Sequence, residues 1–134
     1  MLLEGKTILV TEDNPVNRTS FQIILSLQGA SVVFERFGPN AIDLAKSLTK
    51  LDLIVLDLML MRGVSGYDLF EKLRKIPEFD HVPVVAISAA DPTQAAEKCK
   101  EMGFNGFIPK PVDEQKLPGQ LNRIMNGEEI WITY

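Results

Sequence analysis

Cysteine and histidine are nearly absent from these 134 residues, with one of each, Cys99 and His81. A single thiol excludes an internal disulfide framework and fits a reducing cytosol. A single imidazole, in the loop-like stretch EFDHVP, excludes a histidine-based metal centre and a phosphohistidine at this position. Long apolar runs are missing too. None approaches the roughly 20 residues that span a bilayer, and the opening MLLEGKTILV is interrupted by Glu4 and Lys6 instead of forming a signal-peptide core. Nor is positive charge in excess. The net charge is −4, which argues against nucleic acid as the main partner, since that needs a concentrated basic face. Repeats, low-complexity tracts and linkers are also lacking. What remains is a chain that is 46% hydrophobic, ample for one core. The expectation is a soluble, cytoplasmic, single domain over residues 1–134. Its core would run from about residue 6 to 126, leaving a C-terminal tail of unknown role, GEEIWITY, at 127–134.

Five short apolar runs punctuate the chain: TILVT (7–11), SVVFE (31–35), DLIVL (52–56), PVVAIS (83–88) and the weaker GFIP (106–109). The first, third and fourth are apolar almost continuously, as expected of strands buried on both faces of a parallel sheet. Helical patterns separate them. Val16, Ile23, Ile24 and Leu27 share a side of one helix, started by Asn14-Pro15 and ended by Gln28-Gly29. Ala41, Ala45 and Leu48 mark a second helix. Leu69, Phe70, Leu73 and Ile76, stopped by Pro77, mark a third. Ala95, Ala96, Cys99 and Met102, closed by Gly103, mark a fourth, and place Cys99 on a buried, inert stripe. Leu117, Leu121, Ile124 and Met125 mark a fifth, with Pro118 in its first turn. Alternation of strand and helix implies right-handed crossovers and a doubly wound α/β sandwich. Ligands of such folds bind at the carboxyl ends of the strands.

Those ends carry chemistry. The first strand ends in Thr11-Glu12-Asp13, the third in Asp57, the fourth in Ser88-Ala89-Ala90 and the fifth in Pro109-Lys110-Pro111. The second ends in Glu35-Arg36, at an edge, and is given no role. Asp57 follows four apolar residues and precedes Leu58, Met59 and Leu60; burying it costs several kcal/mol unless it is paired. Glu12, Asp13 and Asp57 would repel one another and raise each other's pKa unless a cation joined them. An oxygen-only, partly hydrated site suits Mg²⁺. A metal, the Lys110 ammonium, the Ser88 hydroxyl and a carboxylate nucleophile together suit phosphoryl transfer, with Asp57 forming an aspartyl phosphate.

With these motifs in order at strand ends, the chain resembles a response-regulator receiver domain of two-component signalling. ILVTEDNPVN resembles the family's acidic pair, LIVLDLML its phosphoacceptor strand, VVAISA its Ser/Thr strand and GFIPKP its Lys-Pro strand; the match runs from about Lys6 to Met125. The resemblance implies a flavodoxin-like, five-stranded parallel sheet in the order 2-1-3-4-5 flanked by five helices. It implies Asp57 as phosphoacceptor and Mg²⁺ held by Asp13, Glu12, Asp57 and the Met59 carbonyl. It implies Ser88 and Lys110 on the phosphoryl group, Phe107 as a switch aromatic that turns inward, and a cis Lys110-Pro111 bond. The implied phosphodonor is a sensor histidine kinase or a histidine phosphotransfer protein. The implied output is a protein partner on the face of the fourth helix, fifth strand and fifth helix, with a weak homodimer left open. Since 134 residues hold no output domain beside the receiver, the effect would come through protein binding, or the chain is a fragment. Such a protein is a switch that catalyses its own phosphorylation and dephosphorylation rather than an enzyme. One departure stands out: in MLMRGVSG the family's loop proline is absent, and the loop reaches its glycine, Gly66, one residue late.

Plainer readings compete. Glu12-Asp13 could merely favour a helix N-terminus, Asp57 could cap a helix, Ser88 could be a strand-end hydroxyl, Lys110 a solvated charge and Phe107 plain core. Trp131 could pack back on the domain or lead into an output region. An unphosphorylated pseudo-receiver scaffold is the main alternative. A haloacid-dehalogenase-type phosphatase would want an aspartate where Met59 stands, and a flavodoxin-like FMN protein a hydroxyl-rich loop where EDNPVN stands.

Overall fold

The computed structural model describes residues 1–35, 40–59 and 65–134. Arg36, Leu60 and the loop residues Met61 and Arg62, singled out above, lie outside them. Strands β1 (Thr7–Thr11), β2 (Ser31–Glu35), β3 (Leu53–Leu56), β4 (Val84–Ser88) and β5 (Gly106–Pro109) alternate with helices α1 (Pro15–Ser26), α2 (Ala41–Ser47), α3 (Gly66–Arg74), α4 (Pro92–Met102) and α5 (Leu117–Met125). The strands form one parallel sheet whose core order is β2-β1-β3-β4-β5, as the βαβ pattern implies. β3 starts one residue later than the apolar run, and just ahead of it Asp52 is tied to Thr7 of β1, its N–H donating to Thr7 O at 2.9 Å and its carboxylate accepting from Thr7 N–H at 2.8 Å.

The caps follow from the sequence. Asn14 accepts from the amides of Val16 and Asn17 ahead of Pro15, and Asp91 accepts from Thr93 ahead of Pro92. Gly103 closes α4 at φ 102°, a conformation that favours glycine. One cluster, around Ile54, Leu56, Phe70, Leu73, Ala86, Cys99 and Phe104, fills one side of the sheet. A second, around Ile8, Val10, Phe21, Leu25, Val55, Val85 and Leu121, fills the other. β1, β3 and β4 contribute to both, which is why they read as continuous apolar runs.

Two expectations are corrected. In α1 the residues that enter the core are Phe21 and Leu25, while Val16, Ile23 and Leu27 are exposed. At 100° per residue the helix carries two apolar stripes, one through 16, 23 and 27 and one through 21, 24 and 25. Phe21 and Leu25 share a core cluster with Ile8 and Val10 of β1, and the first stripe faces solvent. The other correction concerns the tail. Ile130–Trp131 forms a sixth strand, β6, parallel to β5 and outside it, so the sheet has six strands rather than five.

Candidate functional site

Four loops at the carboxyl edge of the sheet deliver the predicted groups to one place. β1 ends at Thr11 and leads directly into Glu12, which is 1% exposed, and the half-buried Asp13. β3 leads into Asp57, 6% exposed. β4 ends at the fully buried Ser88, and β5 leads into Lys110. One carboxylate oxygen from each of Glu12, Asp13 and Asp57 falls within a cluster in which all three lie within 4.8 Å of one another. The Lys110 ammonium bridges two of them, donating to Asp57 Oδ2 at 2.9 Å and to Glu12 Oε1. Burial opposes the ammonium and is the largest single influence on it. The hydrogen bonds to Glu12 and Asp57, with their charges, together outweigh it, so the Lys110 pKa lies above the ordinary lysine value.

The remaining bonds hold the carboxylates in place. Asp57 Oδ1 accepts from Met59 N–H at 3.0 Å, and Glu12 Oε2 accepts from Asn14 N–H at 3.1 Å. The Thr11 hydroxyl accepts from Asp57 N–H at 3.2 Å and fixes the start of the Asp57 turn to the neighbouring strand. Arg18, one turn into α1, donates from Nη1 to the carbonyls of Asp13 at 3.0 Å and Glu12 at 3.4 Å. Lys110 N–H donates to Ser88 O at 3.0 Å, and Ala90 N–H to the Ser88 hydroxyl at 3.3 Å, so the two loops are stitched together. The Lys110-Pro111 bond is cis. The contacts of the Thr11 hydroxyl, the Asn14 amide and Arg18 escape a sequence reading because they depend on how strands and turns come together.

Gly66, the displaced loop glycine, sits beneath the nucleophile. A Cβ there would lie 2.4 Å from Asp57 O and 2.9 Å from Leu58 Cα. Gly66 N–H also donates to Leu58 O at 3.2 Å. The altered loop therefore returns its glycine to the Asp57 backbone. Phe107, expected as a switch aromatic, is fully buried. His81 is exposed and pairs with the adjacent Asp80. Cys99 is fully buried, and burial is the main cause that pushes its thiol pKa up to about 12. Met59, where a dehalogenase-type phosphatase would want an aspartate, is 61% exposed.

The sequence profile of the response regulator receiver domain matches residues 8–122. This chain belongs to the receiver family. The receiver is 31% identical over 107 residues to the polar-differentiation response regulator DivK of Brucella anthropi, covering 80% of this chain and 85% of DivK. It is 32% identical to the probable transcriptional regulator ycf29 of Porphyra purpurea, spanning 92% of this chain but only 58% of that protein. Among solved structures it superposes on a receiver domain of a sensor histidine kinase from Pseudomonas aeruginosa with TM-score 0.81 and 29% identity, covering 92% of this chain and 99% of that one. That structure holds a magnesium ion in its active-site cleft. A receiver domain of a histidine kinase from Syntrophus aciditrophicus gives TM-score 0.79 and 28% identity, with 92% of both chains covered. Among the described residues no helix is long and apolar enough to cross a membrane.

Three carboxylates with one ammonium leave this receiver's cleft with a formal charge of −2. An all-oxygen cluster of that charge fits a divalent hard cation. Glu12, Asp13 and Asp57 would hold it, and its chemistry would be to neutralise charge on a transferring phosphoryl group.

Proposed function

We propose that this receiver accepts a phosphoryl group on Asp57 from a phosphohistidine, with Mg²⁺ as cofactor, and acts as a cytoplasmic signalling switch on a protein partner rather than as an enzyme with an external substrate. The observation that carries the reading is Lys110 bridging Asp57 and Glu12 beside Asp13. An Asp57 oxygen attacks phosphorus, the bond to the donor's imidazole nitrogen breaks, and the imidazole keeps the electron pair and takes up a proton. Lys110 exchanges Glu12 for a phosphoryl oxygen and neutralises part of its charge. Ser88 donates its hydroxyl to a second oxygen. The Met59 carbonyl would be a further ligand to Mg²⁺. Later, water attacks phosphorus and Asp57 leaves as carboxylate.

The phosphodonor reaches Asp57 across α1. Val16, Ile23 and Leu27 form an exposed apolar stripe there. A cavity of about 390 Å³ lies between α1 and the β5–α5 loop, lined by Asn17, Ser20, Phe21, Ala89, Lys110 and Pro111. An apolar helical surface presenting phosphohistidine fits both features, as a histidine kinase or phosphotransfer protein would. The pseudo-receiver scaffold is not favoured, since each group that transfer needs is in place. Incubation with a labelled phosphohistidine protein tests the proposal: label moves to the wild type and not to Asp57→Asn. Equal labelling of the two would reject it.

A further inference from the structure

The C-terminal strand closes the sheet edge that a receiver of five strands would leave open. Ile130 N–H donates to Asn105 O at 3.3 Å and Ile132 N–H to Phe107 O at 3.0 Å. In register, Ile130 stands opposite Gly106 and Trp131 opposite Phe107. A Cβ at Gly106 would lie 2.6 Å from Ile130 O, so the glycine admits the β6 backbone. Side chains then alternate across the sheet. Trp131 packs on the cluster containing Phe107, Cys99 and Phe104, while Ile130 and Ile132 pack on the cluster of α5. The Lys100 ammonium of α4 lies 5.3 Å from the Trp131 ring centre. β6 thus fastens α4, β5 and α5 together at one edge.

We infer that β6 is a phosphorylation-released cover on this edge, and that Trp131 is the side chain whose environment changes when it leaves. The inference rests on phosphoryl transfer to Asp57 as proposed above. Phe107 is fully buried, and its backbone carbonyl is tied to the tail. Ser88, the last residue of β4 before the loop into α4, and Lys110, the first residue after β5, would be drawn to a phosphoryl group, and α4 and β5 form the seat of Trp131. A shift of either alters that seat. Two residues of ladder at a sheet edge belong to the low-stability end of a structure, where small differential energies decide occupancy. The occupant of the β5 edge in the resting state is the chain's own segment 130–132.

Trp131 is the only tryptophan, so its fluorescence reports on this strand alone. The experiment phosphorylates the protein with a small acyl phosphate and Mg²⁺, measures Asp57 modification by intact mass, and reads Trp131 emission, acrylamide quenching and amide exchange at Ile132 in the same sample. Release predicts a red-shifted, more quenchable Trp131 and faster exchange at Ile132 in proportion to modified Asp57. Ser88→Ala, once modified, should keep Trp131 seated. Modified Asp57 with unchanged Trp131, or a full response in Ser88→Ala, would overturn the inference while leaving the phosphotransfer reading intact. Absence of any modification would overturn both.

Discussion

Lys110 and Asp57 are 53 residues apart in sequence and 2.9 Å apart in space. The ammonium lies between two buried carboxylates, Asp57 and Glu12, and satisfies both. The resting site is thus held together by a cation that phosphorylation would redirect, and this lysine is the first place to probe.

Lys110→Met should destabilise the protein by about 1–3 kcal/mol in urea unfolding in the presence of chelator. This is below the cost of breaking a fully buried pair, because the Lys110 side chain keeps 16% exposure. Added Mg²⁺ should restore part of the loss and bind more tightly than in the wild type, since no ammonium competes. The pH dependence has a definite sign. The folded pKa of Lys110 is raised, so its stabilisation is complete below the ordinary lysine value and is lost as pH rises through the higher folded value. The stability gap between wild type and Lys110→Met should stay flat through neutral pH and close only in strongly alkaline solution.

Gly66→Ala should disturb the nucleophile without touching its side chain. The added carbon meets backbone atoms of Asp57 and Leu58, which no rotamer change can relieve. A loss of about 3 kcal/mol is expected, along with slowed phosphorylation. Ser65→Ala, one residue earlier, removes only the oxygen that accepts from Asp68 N–H at the start of α3. It should cost about 1 kcal/mol and leave phosphorylation unchanged. Urea unfolding of the two variants checks the ranking.

Cys99 should be inert while the protein is folded. Its thiol is fully buried with a pKa pushed up to about 12, so little thiolate forms at neutral pH. Titration with a colourimetric thiol reagent should find no reactive cysteine in native protein and one in denaturant.

The site was legible in the sequence because its residues are chemically conspicuous: Asp57 interrupts an apolar run, and Lys110 stands between two prolines. β1, β3 and β4 were legible because burial on two faces leaves a continuous apolar signature. The orientation of α1 was not. Its two apolar stripes are equivalent by periodicity, and only the position of the sheet selects Phe21 and Leu25. β6 was not legible either, since two residues, Ile130 and Trp131, carry too little pattern to mark a strand whose partner lies about two dozen residues earlier. The clamp of Arg18 on the Glu12 and Asp13 carbonyls depends on turn geometry that side-chain chemistry does not encode.

Asp57→Asn should remove phosphorylation and slightly stabilise the apo protein, because a nearly isosteric amide relieves repulsion among Glu12, Asp13 and Asp57. Thermal unfolding in chelator checks the second part.

The most direct measurement is intact mass after incubation of wild type and Asp57→Asn with a small acyl phosphate, in Mg²⁺ and in excess chelator. The account predicts one added phosphoryl group on the wild type in Mg²⁺, little in chelator, and none on Asp57→Asn. Equal phosphorylation with and without Mg²⁺, or undiminished phosphorylation of Asp57→Asn, would contradict it.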